Sequence, residues 1–150
     1  MENIKELYQQ LILDHNRNPK NFKKLESANR QCEGFNPLCG DRVVVYLNVK
    51  DDVVEDISFE GSGCAISKAS ASIMTTLLKG KTITEVKSCF DGFREMATTG
   101  EQDFADLGKL VVLAGVHKFP SRVKCAMLAW HTMVNTLEKS DDIVSTEKSQ

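Results

Sequence analysis

Ile4, Leu7, Tyr8, Leu11, Ile12 and His15 recur at three- and four-residue steps, the spacing of one face of an amphipathic helix. The helix should stop before Pro19, since the residue ahead of a proline is pushed out of the helical region. Residues 20–41 read as irregular, with a short strand near Cys32. Val43, Val45, Leu47 and Val49 then alternate with Val44, Tyr46, Asn48 and Lys50, which is strand periodicity. "KDD" suits a turn, and Val53 to Glu60 reads as a second strand with Val54, Asp56, Ser58 and Glu60 on its polar face. Two such strands across a short turn predict a hairpin.

"GSGCAIS" breaks the sheet and opens a helix running to about Leu78, ended by Gly80. Thr82 or Thr84 caps the next helix, and Glu85 stands three residues after Thr82, as a capping box requires. "TTGEQDF" is a loop, residues 105–116 a shorter helix, and Pro120 with Ser121 introduces a last helix over roughly 122–138. The tail "KSDDIVSTEKSQ" has little apolar content and reads as frayed. No internal repeat appears. The prediction is an α+β fold: an N-terminal helix, a small antiparallel sheet of about three strands, then several helices packed on it. One domain should span 1–138, with 139–150 a flexible tail.

Composition narrows the function classes. The chain has 150 residues, 41% apolar and 27% charged, with a net charge of −2, which suits one domain with a real core. No basic block exists to displace the counterions of a nucleic acid. The longest apolar run, Leu110 to Val116, is far short of the ~20 residues of a membrane span. No basic segment precedes an apolar one at Met1 and beyond, so a cytoplasmic protein is expected. Five cysteines (32, 39, 64, 89 and 125) are an odd number for a disulfide framework. Metal binding or catalysis is the better question.

The last helix carries an apolar stripe of Val123, Met127, Trp130, Val134 and Leu137, and Cys125 lies about 200° round from Met127. Cys64 likewise falls opposite the stripe of Ile66, Ala69, Ile73 and Leu77, in the first turn of its helix. A buried cysteine is ordinarily just a small core residue; lying off the stripe twice weakens that reading. Helix starts favour thiolate over thiol, and Cys39 lies in a turn that Gly40 lets fold tightly. Asp41 adds a carboxylate two residues on. Three thiolates and a carboxylate suit tetrahedral zinc, although such long spacings do not demand a site as a short C-x-x-C pair would.

"NPLCGD", "GSGCAIS" with "KASAS", and "FPSRVKCAMLAW" together resemble the iron–sulfur assembly proteins of the NifU/IscU family, which have the SufE/NifU-like fold. "LYQQLILDHNRNPKN" and "VEDISFEGSGC" extend the resemblance over nearly the whole chain. Within the family the chain looks like the SufU branch. Scaffold-type members have a histidine directly before the third cysteine, where this chain has Lys124, and the region between Gly80 and Cys125 is longer than in scaffolds. The resemblance implies one zinc ion on Cys39, Asp41, Cys64 and Cys125. It also implies a pyridoxal-phosphate cysteine desulfurase of the SufS type as partner, with the SUF assembly machinery downstream. In the family's mechanism a desulfurase histidine takes a place on the zinc and frees the cysteine of the "CGD" turn, here Cys39. Cys39 is thus the expected sulfur acceptor, Cys64 and Cys125 anchors, and Asp41 the weak oxygen ligand.

Lys124 and Arg122 are candidates to favour an anionic persulfide, against the simpler reading of surface bases early in a helix. Cys32 and Cys89 match no motif and read as small semi-buried residues. His117 is a second-shell candidate or a loop histidine. His15 and His131 read as structural, His15 as a cation suited to a helix C-terminus. Met127, Trp130 and Met133 read as core. Three functions follow for the same ligands: zinc-dependent sulfurtransferase working with the desulfurase, scaffold for a [2Fe–2S] cluster, or purely structural zinc site. Lys124 counts against the second. A core of this size makes the third unnecessary.

Overall fold

The computed structural model describes residues 2–101, 107–138 and 144–145. Helix α1 (Glu2–Arg17) precedes strands β1 (Arg30–Asn36), β2 (Asp41–Lys50) and β3 (Val53–Ser62). Helices α2 (Ala65–Leu78) and α3 (Ile83–Thr99), a run of 3-10 turns (Gly108–Lys118), helix α4 (Pro120–Leu137) and the two-residue strand β4 (Val144–Ser145) complete the order. The strands lie in the order β3-β2-β1-β4. β1, β2 and β3 pair antiparallel, as expected, and β4 adds to β1 in parallel at Gly34 and Phe35. The rest of the 139–150 tail lies outside the described residues. Among the described residues no helix is long and apolar enough to cross a membrane.

One face of the sheet carries the core. Val43, Val45, Leu47 and Val49 are buried there, as their alternation predicts. β3 departs from simple alternation, because a bulge between Asn48 and Val49 shifts its register. Val54 therefore turns into the core beside Ile57 and Phe59 instead of lying on the polar face. β1 is longer than its sequence suggested. Its core-facing positions are Cys32, Gly34 and Asn36, and α4 crosses so closely that a Cβ at Gly34 would collide with the Thr132 hydroxyl. That crossing needs a small residue, so the apolar period that would announce the strand is missing.

α4 is buried on almost every side, between the sheet on one side and α2 and α3 on the other. Trp130 and Met133 are fully enclosed and Met127 nearly so. α2 packs against α4 through small residues: the Ser70 hydroxyl donates to the Ala126 carbonyl at 2.6 Å and accepts from Trp130 Nε1 at 3.2 Å. α3 starts at the expected Thr82–Glu85 capping box and ends at Gly100 in the left-handed region. The segment expected to be a helix over 105–116 differs. From Gly108 it forms 3-10 turns, and Leu107, Leu110, Leu113 and Val116 are buried at three-residue steps, the 3-10 period.

Candidate metal centre

The candidate ligands come from three places that the fold brings to one end of the sheet. β1 and β2 are joined by Pro37–Gly40, with Asn36 paired to Asp41 across the base of the turn. Gly40 takes a φ of 72°, a left-handed conformation natural to glycine, and this folds the turn that presents Cys39 to solvent. β3 ends at Ser62, and Cys64 is the N-cap of α2, its sulfur accepting the Ser67 N–H at 3.4 Å. Cys125 comes from α4. That helix begins at Pro120, two residues earlier than predicted, so Cys125 lies in its second turn, beyond the reach of the helix-start field expected to favour its thiolate.

Cys39, Asp41 and Cys125 bring one ligand atom each within 4.8 Å of the others. The Cys39 and Cys125 sulfurs are 3.4 Å apart, and Cys64 Sγ lies 4.0 Å from Asp41 Oδ2. Ligands of a tetrahedral zinc stand roughly 3.5–3.8 Å from one another, given bonds of ~2.3 Å to sulfur and ~2.0–2.2 Å to oxygen. Cys39, Asp41 and Cys125 therefore form a donor set of the kind zinc takes, and Cys64, outside that group of three, lies beside it with its sulfur 4.0 Å from the Asp41 carboxylate. Asp41 is fully buried: Oδ1 accepts the Cys64 N–H at 2.8 Å, and Oδ2 accepts Asn36 Nδ2 at 3.2 Å. Gly63 makes this closeness possible, since a Cβ there would run into the Asp41 carboxylate.

Electrostatics within the cluster are unfavourable to anions on their own. Burial first, then hydrogen bonds with Cys39 and Cys64 and the charges of Cys64 and Asp41, push the Cys125 thiol strongly up. A divalent cation among these groups reverses the sign of that argument, since a coordinating thiol loses its proton. Cys125 is therefore a buried thiol whose anionic form depends on a cation. Cys125 lies off the predicted stripe yet is almost wholly buried, because α4 is covered on that side too.

The other candidates lie as follows. Arg122 is exposed and Lys124 half-buried, both early in α4. Cys32 is buried and accepts a 2.9 Å contact from Asn135 Nδ2, while Cys89 belongs to the core. A Cβ at Gly100 would strike the His117 ring, which places that ring against the α3 cap. The His131 ring meets Phe90 edge-on at 5.5 Å, and burial lowers its pKa. His15 differs from expectation. It is buried, with Nδ1 2.7 Å from the Ser72 hydroxyl, and its pKa is lowered by burial and by Lys109 and Lys20, so it is no surface cation. Asn36 escaped the sequence reading. A polar residue at a strand end before proline is an ordinary turn signal, and nothing local marks its side chain as aimed inward.

The NifU-like N-terminal domain model matches residues 7–126. The chain is 42% identical to the zinc-dependent sulfurtransferase SufU of Bacillus subtilis, over 93% of this chain and 95% of that one. It is 38% identical to the iron–sulfur cluster assembly scaffold protein IscU of Thermotoga maritima, over 91% and 96%. A solved SufU from Fervidobacterium islandicum, described as a cluster assembly scaffold for the SUF system, superposes with a TM-score of 0.81 at 36% identity, over 85% of this chain and 94% of that one. By these matches, joined to the sheet and helix order above, the chain belongs to the NifU-like N-terminal domain family.

Proposed function

We propose that this protein is a zinc-dependent sulfur-transfer protein of iron–sulfur cluster biogenesis, taking sulfur from the persulfide of a pyridoxal-phosphate cysteine desulfurase through Cys39. The carrying observation is an asymmetry within one cluster. Cys39 is exposed on a turn, whereas Asp41 and Cys125 beside it are buried. Cys39, Asp41, Cys64 and Cys125 are the residues that would hold the zinc. When bound, the zinc keeps the thiols deprotonated without redox chemistry of its own.

The chain's own residues supply the rest. Cys39 Sγ, as thiolate, attacks the outer sulfur of the desulfurase persulfide. A new S–S bond forms at Cys39, the desulfurase S–S bond breaks, and its electron pair stays on the desulfurase cysteine as thiolate. No external oxidant or reductant is required. Cys125 on α4 and Asp41 at the start of β2 are buried beside the exposed turn. The name of the Bacillus subtilis relative supports this reading. The scaffold alternative, a [2Fe–2S] cluster on the same residues, draws on the names of the Thermotoga and Fervidobacterium relatives. Lys124 weighs against it, since an ammonium cannot ligate metal as a neutral imidazole does.

Desulfurase turnover on L-cysteine decides between them. Zinc-loaded wild type should stimulate it strongly, and zinc-stripped wild type or zinc-loaded Cys39→Ala should not. No stimulation by any of them, with a cluster accumulating on wild type when iron is supplied, returns the protein to the scaffold class.

A further inference from the structure

We propose that Asn36 is the positioning residue of this site: its buried carboxamide fixes Asp41 and Cys125 as the immobile ligands and leaves Cys39 as the releasable one. The inference rests on the zinc reading above and deepens it.

Asn36 is the last residue of β1, has no solvent exposure and points to the core face. Its Oδ1 accepts the Leu38 N–H at 3.3 Å, an Asx-type contact that shapes the start of the Cys39 turn. Its Nδ2 donates to Asp41 Oδ2 at 3.2 Å and to Cys125 Sγ at 3.6 Å. The amide orientation follows from these partners, since a backbone N–H needs the oxygen and a carboxylate needs the nitrogen. An amide nitrogen carries two donors, and two candidate ligand atoms stand within its reach. One side chain therefore ties together the hairpin turn, the first residue of β2 and the second turn of α4.

The consequence is selective. Hydrogen bonds to ligand atoms orient them and tune their basicity, and losing such partners typically costs 10–100-fold in metal affinity. Asp41 has its other oxygen bonded to the Cys64 N–H, so each carboxylate oxygen is oriented by one protein hydrogen bond and keeps a lone pair for a metal. Cys125 is held by the Asn36 amide in a closed environment. The hydrogen bond to Cys39 sulfur comes instead from the Cys125 thiol, and zinc binding removes the proton that makes it. The Asn36 amide thus acts on two candidate ligands and, through Leu38, on the turn that carries the third.

Asn36→Asp keeps the acceptor for Leu38 and replaces the donor; Asn36→Ala removes both. Zinc affinity is measured by chelator competition, and zinc-stripped melting separates folding from binding. Alkylation of Cys39 and Cys125 in the zinc-loaded proteins is followed by mass spectrometry. The expected result is zinc binding about 10–100-fold weaker in both variants. Labelling of Cys125, slow relative to Cys39 in wild type, should accelerate. Should Asn36→Asp fail to fold, Asn36→Ala decides alone. A variant that melts lower when zinc-stripped yet binds zinc as wild type does, with the same labelling order, overturns the inference and leaves Asn36 a turn residue. Wild type that takes up no zinc overturns the zinc reading itself, and this inference with it.

Discussion

Cys39 and Cys125 have sulfurs 3.4 Å apart, yet their surroundings are opposite. Cys39 rides on a four-residue turn whose neighbour Leu38 is 62% exposed, so its backbone has water on one side and little packing to hold it. Cys125 is 1% exposed, on a helix enclosed by the sheet, α2 and α3, and faces the Asn36 amide. The two thiols share a cluster but not a degree of freedom. Chemistry that must release one sulfur while keeping the site assembled is served by this division, with a buried floor of Asp41, Asn36 and Cys125 beneath an exposed turn.

The largest effect should come from exchanging the fates of those two residues. Cys39→Ala should abolish transfer of sulfur to the protein, read as the extra sulfur in mass spectra after reaction with the desulfurase. Its zinc affinity should fall less than that of Cys125→Ala, because water can take the place of an exposed ligand. The zinc-stripped melting temperature should barely change, as for other exposed substitutions of about ±0.5 kcal/mol. Cys125→Ala should lose more than the roughly 10–100-fold that follows loss of a partner outside the ligand shell, since no solvent replaces a ligand in a closed site. Equal losses of zinc in both variants would break the comparison.

A smaller change tests the floor alone. Gly63→Ala changes none of the four candidate ligand residues but drives a methyl group into the space of the Asp41 carboxylate. Overpacking of this kind costs about 1–3 kcal/mol, and melting should fall by roughly 2–4 °C for each kcal/mol in a chain of this size. Zinc affinity should drop with it, as Asp41 is displaced from the Cys64 N–H. An unchanged affinity would mean that Asp41 is not a ligand.

Much of this was legible in the sequence because its signals are local. The β2 alternation, the Thr82–Glu85 box and Pro120 near the α4 start each report a near-neighbour rule. The candidate site residues came instead from the resemblance of "NPLCGD" and "GSGC" to the NifU/IscU family, since the long spacings between the cysteines do not demand a site by themselves. What stayed hidden depends on contacts between distant segments. Gly34 conceals β1 because its size is set by Thr132 on α4. Val54 turns inward because of a bulge that only the β2–β3 register reveals. Asn36 reads as a turn residue until Cys125, 89 positions away, is placed beside it.

The mildest prediction concerns a second polar lock that fastens α2, the helix capped by Cys64, from its other side. Ser72 Oγ accepts the Lys20 N–H at 2.8 Å and lies 2.7 Å from His15 Nδ1. With its oxygen already accepting, the hydroxyl satisfies its own hydrogen by donating to an unprotonated Nδ1. Burial, then Lys109 and Lys20, hold the His15 pKa below its ordinary value, with Asp14 opposing them. Unfolded, His15 titrates near ~6.5, so between the folded and unfolded values the unfolded chain binds the extra proton. Stability from this group is complete above about pH 6.5 and is lost as the pH falls below it. His131, also lowered by burial, adds a slope of the same sign. Melting of zinc-stripped wild type at about pH 7.5 and about pH 5.5 should therefore differ more than melting of His15→Asn, which cannot titrate. Because metal is absent from both samples, a reduced slope in the variant would assign the acid sensitivity to the frame around α2. Identical slopes would place it outside this lock, with His131.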